Sequence, residues 1–309
     1  MKTRTYLLVA IFVAVIVAAA FIGTYLSKPA ASSSSSTSNV LQVVAAENFW
    51  GSLVSQLGGT DVQVKSIVTN PNADPHEYES SAADAEAIAK ANYVIVNGAG
   101  YDQWALELIS AGNTQGQKVL NVASLLGQGI GSNPHFWYNP YYVRITVHQM
   151  FLDLVSLAPN DTSYFTQQYA SLNASLAPYY AKINQIRAEF NGTEVASTES
   201  IFVYLANATG LNLVSPPAFM EAVSEGSDPP AQSVVQFEQQ LQTGQVKVLV
   251  YNNQTVTPLT TSMKTLAAQH NVEVVGITES VYPPDASFQN WMNGELTDLL
   301  NALNAKPSG

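Results

Sequence analysis

The sequence predicts an α/β protein of two lobes, each a small parallel sheet with surrounding helices, joined by one long connecting helix. Short apolar runs alternate with amphipathic stretches from residue 41 onward, which is typical of parallel sheets covered by helices. The alternation stops between residues 164 and 190 and then resumes. A chain of 309 residues is long enough for two domains of ordinary size.

The first half contains two clear helix starts between its expected strands. Ser81 and Asp84 have the spacing of a capping box, which predicts a helix from there to about residue 91. Asn139 before Pro140 is typical of an N-cap followed by proline at the first helical position, which predicts a helix to about residue 157. The expected strands of this half are 41–45, 62–68, 93–97 and 118–122.

The middle of the chain predicts the connector. Residues 164–190 contain few helix breakers other than Pro178, so we expect one long or once-kinked helix that ends at Asn191-Gly192. In the second half, Thr257-Pro258 begins another helix, and residues 288–303 form a last amphipathic one. The expected strands there are 194–197, 211–215, 246–251 and 272–277. These elements divide the chain into an N-terminal lobe, a connecting region and a C-terminal lobe, at 41–158, 159–191 and 192–309.

The N-terminus predicts export. Residues 6–26 form an uncharged apolar run of 21 residues, about 31 Å long as a helix, which matches the thickness of a bilayer core. Lys2 and Arg4 precede this run, so the positive-inside bias places the rest of the chain outside the cytoplasm. Segment 1–27 is therefore expected to be a membrane anchor, with a cleaved signal peptide as the alternative. The serine-rich segment 28–40 then reads as a tether on the outer face of the cytoplasmic membrane.

Composition narrows the class of partner. Residues 1–40 hold three of the twelve basic side chains and none of the 23 acidic ones, so the exported part is strongly acidic. An acidic surface argues against a nucleic-acid partner and raises the local concentration of small cations. The chain has no cysteine, which rules out a lipid attached to cysteine and leaves nitrogen and oxygen as metal-ligand atoms.

Two of the four histidines occur in Pro-His turns. Pro75-His76 and Pro134-His135 each place one imidazole beside a proline, whose fixed φ makes the turn rigid. Each turn follows an expected strand, and Glu199 and Glu279 follow expected strands of the second half. Ligands of open parallel sheets bind beyond the carboxyl ends of the strands. The pattern therefore indicates a divalent-metal site, whereas His148 and His270, placed within helices, are expected to stay outside it.

Several ordered motifs together carry a family resemblance over nearly all of the chain after the tether. They are Asp74-Pro75-His76-Glu77-Tyr78-Glu79, Asn97-Gly98-Ala99-Gly100-Tyr101-Asp102, Pro134-His135-Phe136-Trp137, Thr198-Glu199, Gly226 with Asp228-Pro229, Tyr251-Asn252-Asn253-Gln254 and Thr278-Glu279. In these motifs the chain resembles the zinc- and manganese-binding extracytoplasmic receptors of ATP-binding-cassette (ABC) importers.

The resemblance implies a receptor that captures Zn²⁺ or Mn²⁺ between two lobes and delivers it to a permease with its ATPase subunit. It implies four ligands at His76, His135, Glu199 and Glu279, a monomer, and no enzymatic activity. Asn97 and Asn252, each just past or at the end of an expected strand, are candidates for orienting these ligands. A secreted zinc-dependent hydrolase and a surface adhesin of the same fold are the alternatives.

Charge balance supports a divalent ion without choosing one. Two neutral imidazoles and two carboxylates sum to −2, so a divalent cation leaves a nearly neutral cluster that can be buried. Monodentate carboxylates favour tetrahedral Zn²⁺, whereas bidentate ones suit Mn²⁺ and leave Fe²⁺ open. From unperturbed histidines, metal binding is expected to be lost below about pH 6.5.

Overall fold

The computed structural model describes residues 40–72, 75–112 and 116–306. The predicted anchor or signal segment 1–27 lies outside the described residues, as does the tether except for its last residue. Across the described part of the chain, no helix combines the length and apolar character needed to cross a bilayer.

The N-terminal lobe is a four-stranded parallel sheet with strand order β2-β1-β3-β4. Its strands are β1 (Leu41–Glu47), β2 (Val62–Val68), β3 (Tyr93–Val96) and β4 (Lys118–Asn121). Its helices are α1 (Asn48–Gly58), α2 (Ala82–Lys90), α3 (Gln103–Ala111), α4 (Val122–Leu125) and α5 (Pro140–Leu157). The predicted Ser81–Asp84 capping box and the Asn139 N-cap are both present, which explains why α2 and α5 begin where the sequence indicates.

The connecting region is two consecutive helices, α6 (Thr162–Ser175) and α7 (Ala177–Phe190), after a short 3-10 turn at Pro159–Asp161. Only Leu176 separates the two helices. Leu176 lies two residues before Pro178, which lacks an N–H and cannot donate to the carbonyl four residues earlier. The predicted connector is therefore present as two consecutive helices with one interruption.

The C-terminal lobe repeats the arrangement with strand order β6-β5-β7-β8, again all parallel. Its strands are β5 (Glu194–Ser197), β6 (Asn212–Leu213), β7 (Val248–Asn252) and β8 (Glu273–Ile277). Its helices are α8 (Val203–Thr209), α9 (Pro217–Ser224), α10 (Ala231–Gln242), α11 (Pro258–Gln269) and α12 (Phe288–Asn304).

Strand β6 is shorter than the predicted 211–215. At its end, the side chain of Ser215 takes the place of the backbone groups that would otherwise bond to β5. The Ser215 hydroxyl accepts from the Ser197 N–H at 2.7 Å and donates to the Ser197 carbonyl at 2.9 Å. The Ser215 side chain therefore pairs both backbone groups of Ser197, while β7 pairs with the other edge of β5. Two prolines follow at once, and α9 begins at the second of them.

One apolar core extends through both lobes. It contains the inward faces of both sheets, residues of α5, α6 and α7, and much of α12. Phe49 and Trp137 stack at the centre of the N-terminal part, with ring centroids 4.0 Å apart. Two smaller clusters cover the outer faces of the sheets. Helix α12 packs against both α7 and β8, so the C-terminal helix links the connector to the second sheet.

Candidate metal centre

His76 lies in a single 3-10 turn, Pro75–Glu77, beyond the end of β2. The Tyr78 N–H closes this turn on the Pro75 carbonyl at 3.3 Å. The Tyr78 hydroxyl then donates to Asp84 at 2.8 Å, which ties the segment to the first turn of α2. The capped helix thus anchors the downstream side of the turn, and the His76 side chain stays 24% exposed at the rim of the site.

His135 is fully buried and its tautomer follows from its neighbour Asn133. The Asn133 amide donates through Nδ2 to the Ser200 carbonyl at 2.7 Å, which turns its Oδ1 toward His135. That oxygen accepts from the His135 backbone N–H at 3.0 Å and lies 2.8 Å from Nδ1. Because Oδ1 is an acceptor, Nδ1 carries the ring proton and Nε2 carries the lone pair. Among the described residues Nε2 has no hydrogen-bond partner.

Glu279 follows β8 and is held by a side chain from the neighbouring strand end. The Gln254 carbonyl oxygen accepts from the Glu279 N–H at 2.7 Å and from the Ser280 N–H at 2.8 Å. The Glu279 carboxylate is fully buried. Its Oε2 accepts from the Tyr101 hydroxyl at 2.7 Å, and its Oε1 accepts from Asn252 Nδ2 at 2.8 Å. The carboxylate is therefore oriented by groups from both lobes.

These three side chains meet at one point. One ligand atom from each of His76, His135 and Glu279 lies within 4.8 Å of the other two. Glu279 Oε2 is 3.3 Å from His76 Nε2 and 3.9 Å from His135 Nε2. The two histidines belong to the N-terminal lobe and the glutamate belongs to the C-terminal lobe. All three lie beyond the carboxyl ends of the strands, where the strand pattern predicts a site.

The electrostatics of the cluster favour a neutral His135 and an ionised Glu279. Burial lowers the pKa of His135 to about 3, against the opposing attraction of Glu279. Burial alone would raise the pKa of Glu279, but the hydrogen bond from His76, electrostatic interactions with His76 and His135, and the Tyr101 hydrogen bond lower it below its usual value. The expected loss of metal binding below about pH 6.5 assumes an unperturbed pKa for both histidines, whereas burial lowers the pKa of the His135 imidazole.

Glu199 lies beside this cluster, outside the group whose ligand atoms meet. It is fully buried after β5, and its Oε1 accepts from Asn252 Nδ2, the same nitrogen that donates to Glu279 Oε1. Asn252 Nδ2 also lies 3.0 Å from the Thr255 hydroxyl. One amide nitrogen therefore stands between the two buried carboxylates that the sequence analysis pairs, in a position where a cation would be attracted by both.

Asn97, the other predicted orienting residue, acts on the His135 turn. Its side-chain Nδ2 donates to the Pro134 carbonyl at 2.9 Å, and its Oδ1 accepts from Trp50 Nε1 at 3.1 Å. Its backbone N–H donates to Asp102 at 2.6 Å, and burial raises the pKa of that aspartate to about 6. The adjacent Gly98 adopts φ +78°, and a Cβ there would lie 2.4 Å from Asn121 Oδ1, so this close turn requires glycine.

Sequence reasoning did not assign roles to Asn133, Gln254 or Tyr101. Gln254 and Tyr101 stand inside motifs that carry the family resemblance, and Asn133 directly precedes a Pro-His turn. Position in a motif was thus the available signal. The sequence does not indicate which residue each of them contacts. Tyr101, for example, donates to Glu279, which is 178 residues away along the chain.

The arrangement suits capture of a cation. Two imidazoles and a carboxylate are ligands that borderline divalent metals accept, and Nε2 of the buried His135 offers a lone pair that has no hydrogen-bond partner among the described residues. Tyr101 and Trp137 surround the imidazoles, with ring centroids 4.8 Å from His76 to Tyr101 and 5.2 Å from His135 to Trp137. These rings fix both imidazole planes by packing.

The chain is similar in sequence to characterised metal-binding proteins. It is 24% identical over 300 residues to the manganese ABC transporter substrate-binding lipoprotein PsaA of Streptococcus pneumoniae, covering 88% of this chain and 92% of that protein. It is 26% identical over 191 residues to the iron-binding protein YfeA of Yersinia pestis, covering 58% of this chain and 60% of that protein.

The fold is also shared with solved structures. A crystal structure of ZnuA superposes with a TM-score of 0.69 at 21% identity, covering 86% of this chain and all of that one. A family model described as ZnuA, zinc-uptake complex component A, periplasmic, matches residues 43–302. The match spans both lobes and every residue of the candidate site, and the chain belongs to this family.

Proposed function

We propose that this protein is an extracytoplasmic receptor that captures a divalent transition-metal ion between its two lobes and delivers it to an ABC permease. The observation that carries the proposal is the buried lone pair of His135 Nε2, which lacks a hydrogen-bond partner in the described structure and faces His76 and Glu279. A buried polar atom without a partner costs free energy, which a bound cation would recover.

We infer that His76, His135 and Glu279 are ligands, with Glu199 as the fourth. Asn252 Nδ2 lies between the two carboxylates and donates to both. A cation bound by Glu199 and Glu279 would take over the role of this shared donor on one or both carboxylates. Two neutral imidazoles and two carboxylates would then balance a divalent charge.

The cargo we propose is Zn²⁺ or Mn²⁺, with Fe²⁺ as a further possibility. The relatives described above are a manganese-transporter component and an iron-binding protein, and the family description is zinc uptake. A nitrogen and oxygen ligand set accepts all three ions, and the general affinity order puts Zn²⁺ above both Fe²⁺ and Mn²⁺.

The working position that fits this role is the outer face of the cytoplasmic membrane. Segment 1–27 would anchor the chain there and segment 28–40 would act as a tether, with lobes at 41–158 and 192–309 on either side of the connector 159–191. The PsaA relative is named a lipoprotein, but this chain has no cysteine to carry such a lipid, so the N-terminal segment is the anchor we propose. The partners would be a permease and its ATPase subunit, with the receptor itself a monomer without enzymatic activity.

The direct test is metal binding by residues 40–309 purified without added metal and stripped with a chelator. We expect one Zn²⁺ or Mn²⁺ per chain by elemental analysis and competition with a chromogenic chelator. His135→Ala should lower the affinity by at least about a hundredfold, because it removes a ligand rather than an orienting group. His148→Ala is the matched control, since His148 pairs with Tyr169 away from the site. A wild-type protein that binds neither ion would overturn the proposal.

A further inference from the structure

A further buried carboxyl group, that of Glu295 in α12, contacts the segment that carries Glu279. Its Oε1 accepts from the Thr278 backbone N–H at 2.9 Å and from Trp291 Nε1 at 2.8 Å. Its Oε2 lies 2.7 Å from the Tyr138 hydroxyl. Thr278 directly precedes Glu279, and Tyr138 lies three residues after His135. Glu295 therefore connects the backbone of one proposed ligand segment with the other.

If Glu295 is ionised, the single hydroxyl hydrogen of Tyr138 cannot form hydrogen bonds with both of its neighbouring oxygen atoms. The Tyr138 oxygen lies within hydrogen-bond distance of two acceptors, Glu295 Oε2 at 2.7 Å and the Thr278 carbonyl at 2.8 Å. A tyrosine hydroxyl has one hydrogen and can donate to only one of them. With a proton on Glu295 Oε2, the acid donates to Tyr138 and Tyr138 donates to Thr278, so that every short contact is a hydrogen bond.

We propose that Glu295 is a positioning residue of the metal centre, which in its neutral form holds Tyr138 against Thr278 and so fixes the His135 and Glu279 segments relative to each other. This inference rests on the proposed function, since it concerns the same site. The chain of bonds runs from the acid through the tyrosine to a backbone carbonyl, and it crosses from the C-terminal lobe to the N-terminal lobe and back.

The surroundings of Glu295 agree with a neutral acid. Burial raises its pKa to about 7, although its hydrogen bonds with Tyr138, Thr278 and Trp291 lower it. The ionisable groups that face it are Tyr138 from the Phe136–Tyr138 turn, Tyr179 from α7 and, across Tyr138, Glu279. None of these carries a positive charge, and α1 contributes no ionisable side chain. Lys182 of α7 instead contacts Thr297 and the Asn293 carbonyl.

The test compares Glu295→Gln with Glu295→Ala and Tyr138→Phe, using Zn²⁺ competition with a chromogenic chelator. A glutamine amide donates to Tyr138 as the neutral acid does, and its carbonyl accepts from Thr278 and Trp291, so we expect an affinity within about threefold of wild type. Alanine and phenylalanine break the chain of bonds and should weaken binding about ten- to a hundredfold, the usual effect of losing a group that orients a ligand.

A measurement without metal separates this inference from the proposed function. The infrared spectrum of the metal-free protein near neutral pH should contain the carbonyl stretch of a protonated carboxylic acid that disappears in Glu295→Gln. If the wild type has this band, Glu295→Gln lacks it and the wild type binds no metal, the proposed function is contradicted but the protonation of Glu295 is not. Absence of the band, or a glutamine variant as weak in Zn²⁺ binding as the alanine variant, would overturn the role of Glu295 even if the receptor function holds.

Discussion

The Tyr101 hydroxyl donates to Glu279 Oε2 at 2.7 Å, and the same oxygen lies 3.3 Å from His76 Nε2. Tyr101 belongs to the loop after β3 in the N-terminal lobe, whereas Glu279 follows β8 in the C-terminal lobe. Glu279 Oε2, which lies close to both imidazoles, is therefore oriented by a hydrogen bond from Tyr101 of the opposite lobe. This hydrogen bond therefore links the two lobes directly at the candidate metal centre.

Tyr101→Phe should destabilise the metal-free protein more than the metal-bound one. The substitution removes a donor from a buried carboxylate, and a hydrogen bond to a charged group contributes about 1.5–3 kcal/mol. A bound cation would satisfy the same oxygen, so we expect excess Zn²⁺ to recover part of the loss. Urea unfolding with and without Zn²⁺ measures both quantities. An equal loss of unfolding free energy in the two states would contradict the proposed ligation by Glu279.

Asn133→Ala should weaken metal binding without removing a ligand. The substitution removes the acceptor that keeps the proton on His135 Nδ1, so the ring can place its proton on Nε2 instead. Loss of such an orienting partner lowers metal affinity by about ten- to a hundredfold. Chelator competition measures the effect, with the exposed Asn160→Ala as control. Unchanged affinity in Asn133→Ala would mean that packing alone orients the ring.

Glu199→Gln tests the fourth ligand. The change keeps the shape of the side chain but removes one negative charge from the proposed site, so we expect one metal ion per chain to remain and its affinity to fall at least about tenfold. Glu225→Gln, an exposed acid at the end of α9, removes the same charge from the surface and serves as control. If both variants bind like the wild type, Glu199 serves only to hold Asn252.

Local patterns were sufficient to predict the two sheets and three members of the cluster. His76, His135 and Glu279 can be predicted from the sequence because each follows the end of a strand, and parallel strands bring those ends to one edge of the sheet. The N-caps of α2 and α5 can be predicted because capping depends on residues within about three positions of each other in the sequence. The connector break at Leu176 follows from Pro178 for the same local reason.

The remaining features depend on contacts between residues far apart in the chain. The shortened β6 results from a Ser215 side chain that bonds to Ser197. The low pKa of His135 results from complete burial, which no motif reports. Glu295 lies in a helix that the sequence describes only as amphipathic, and its partners Tyr138 and Thr278 are 157 and 17 residues away. Sequence spacing cannot pair such residues without the tertiary structure.

The pH dependence of stability gives a last prediction, again at Glu295. Burial raises the pKa of Glu295 to about 7, above that of the unfolded chain, so the folded state binds more protons between the two values. The contribution of this group is therefore fully present below the pKa of the unfolded chain and is lost as the pH rises through about 7. Relative to Glu295→Gln, the wild type should lose on the order of 1–3 kcal/mol of unfolding free energy from about pH 5 to pH 8.5.

Urea unfolding of both metal-free proteins across this range isolates the effect of Glu295. The other groups with shifted pKa values, such as Asp102 and His135, are present in both proteins and cancel in the difference. Glu189→Gln, an exposed substitution on α7, controls for the loss of one acidic side chain. A difference between wild type and Glu295→Gln that stays constant with pH would mean that Glu295 is ionised throughout. Tyr138 would then have to leave one of its two acceptors without a hydrogen.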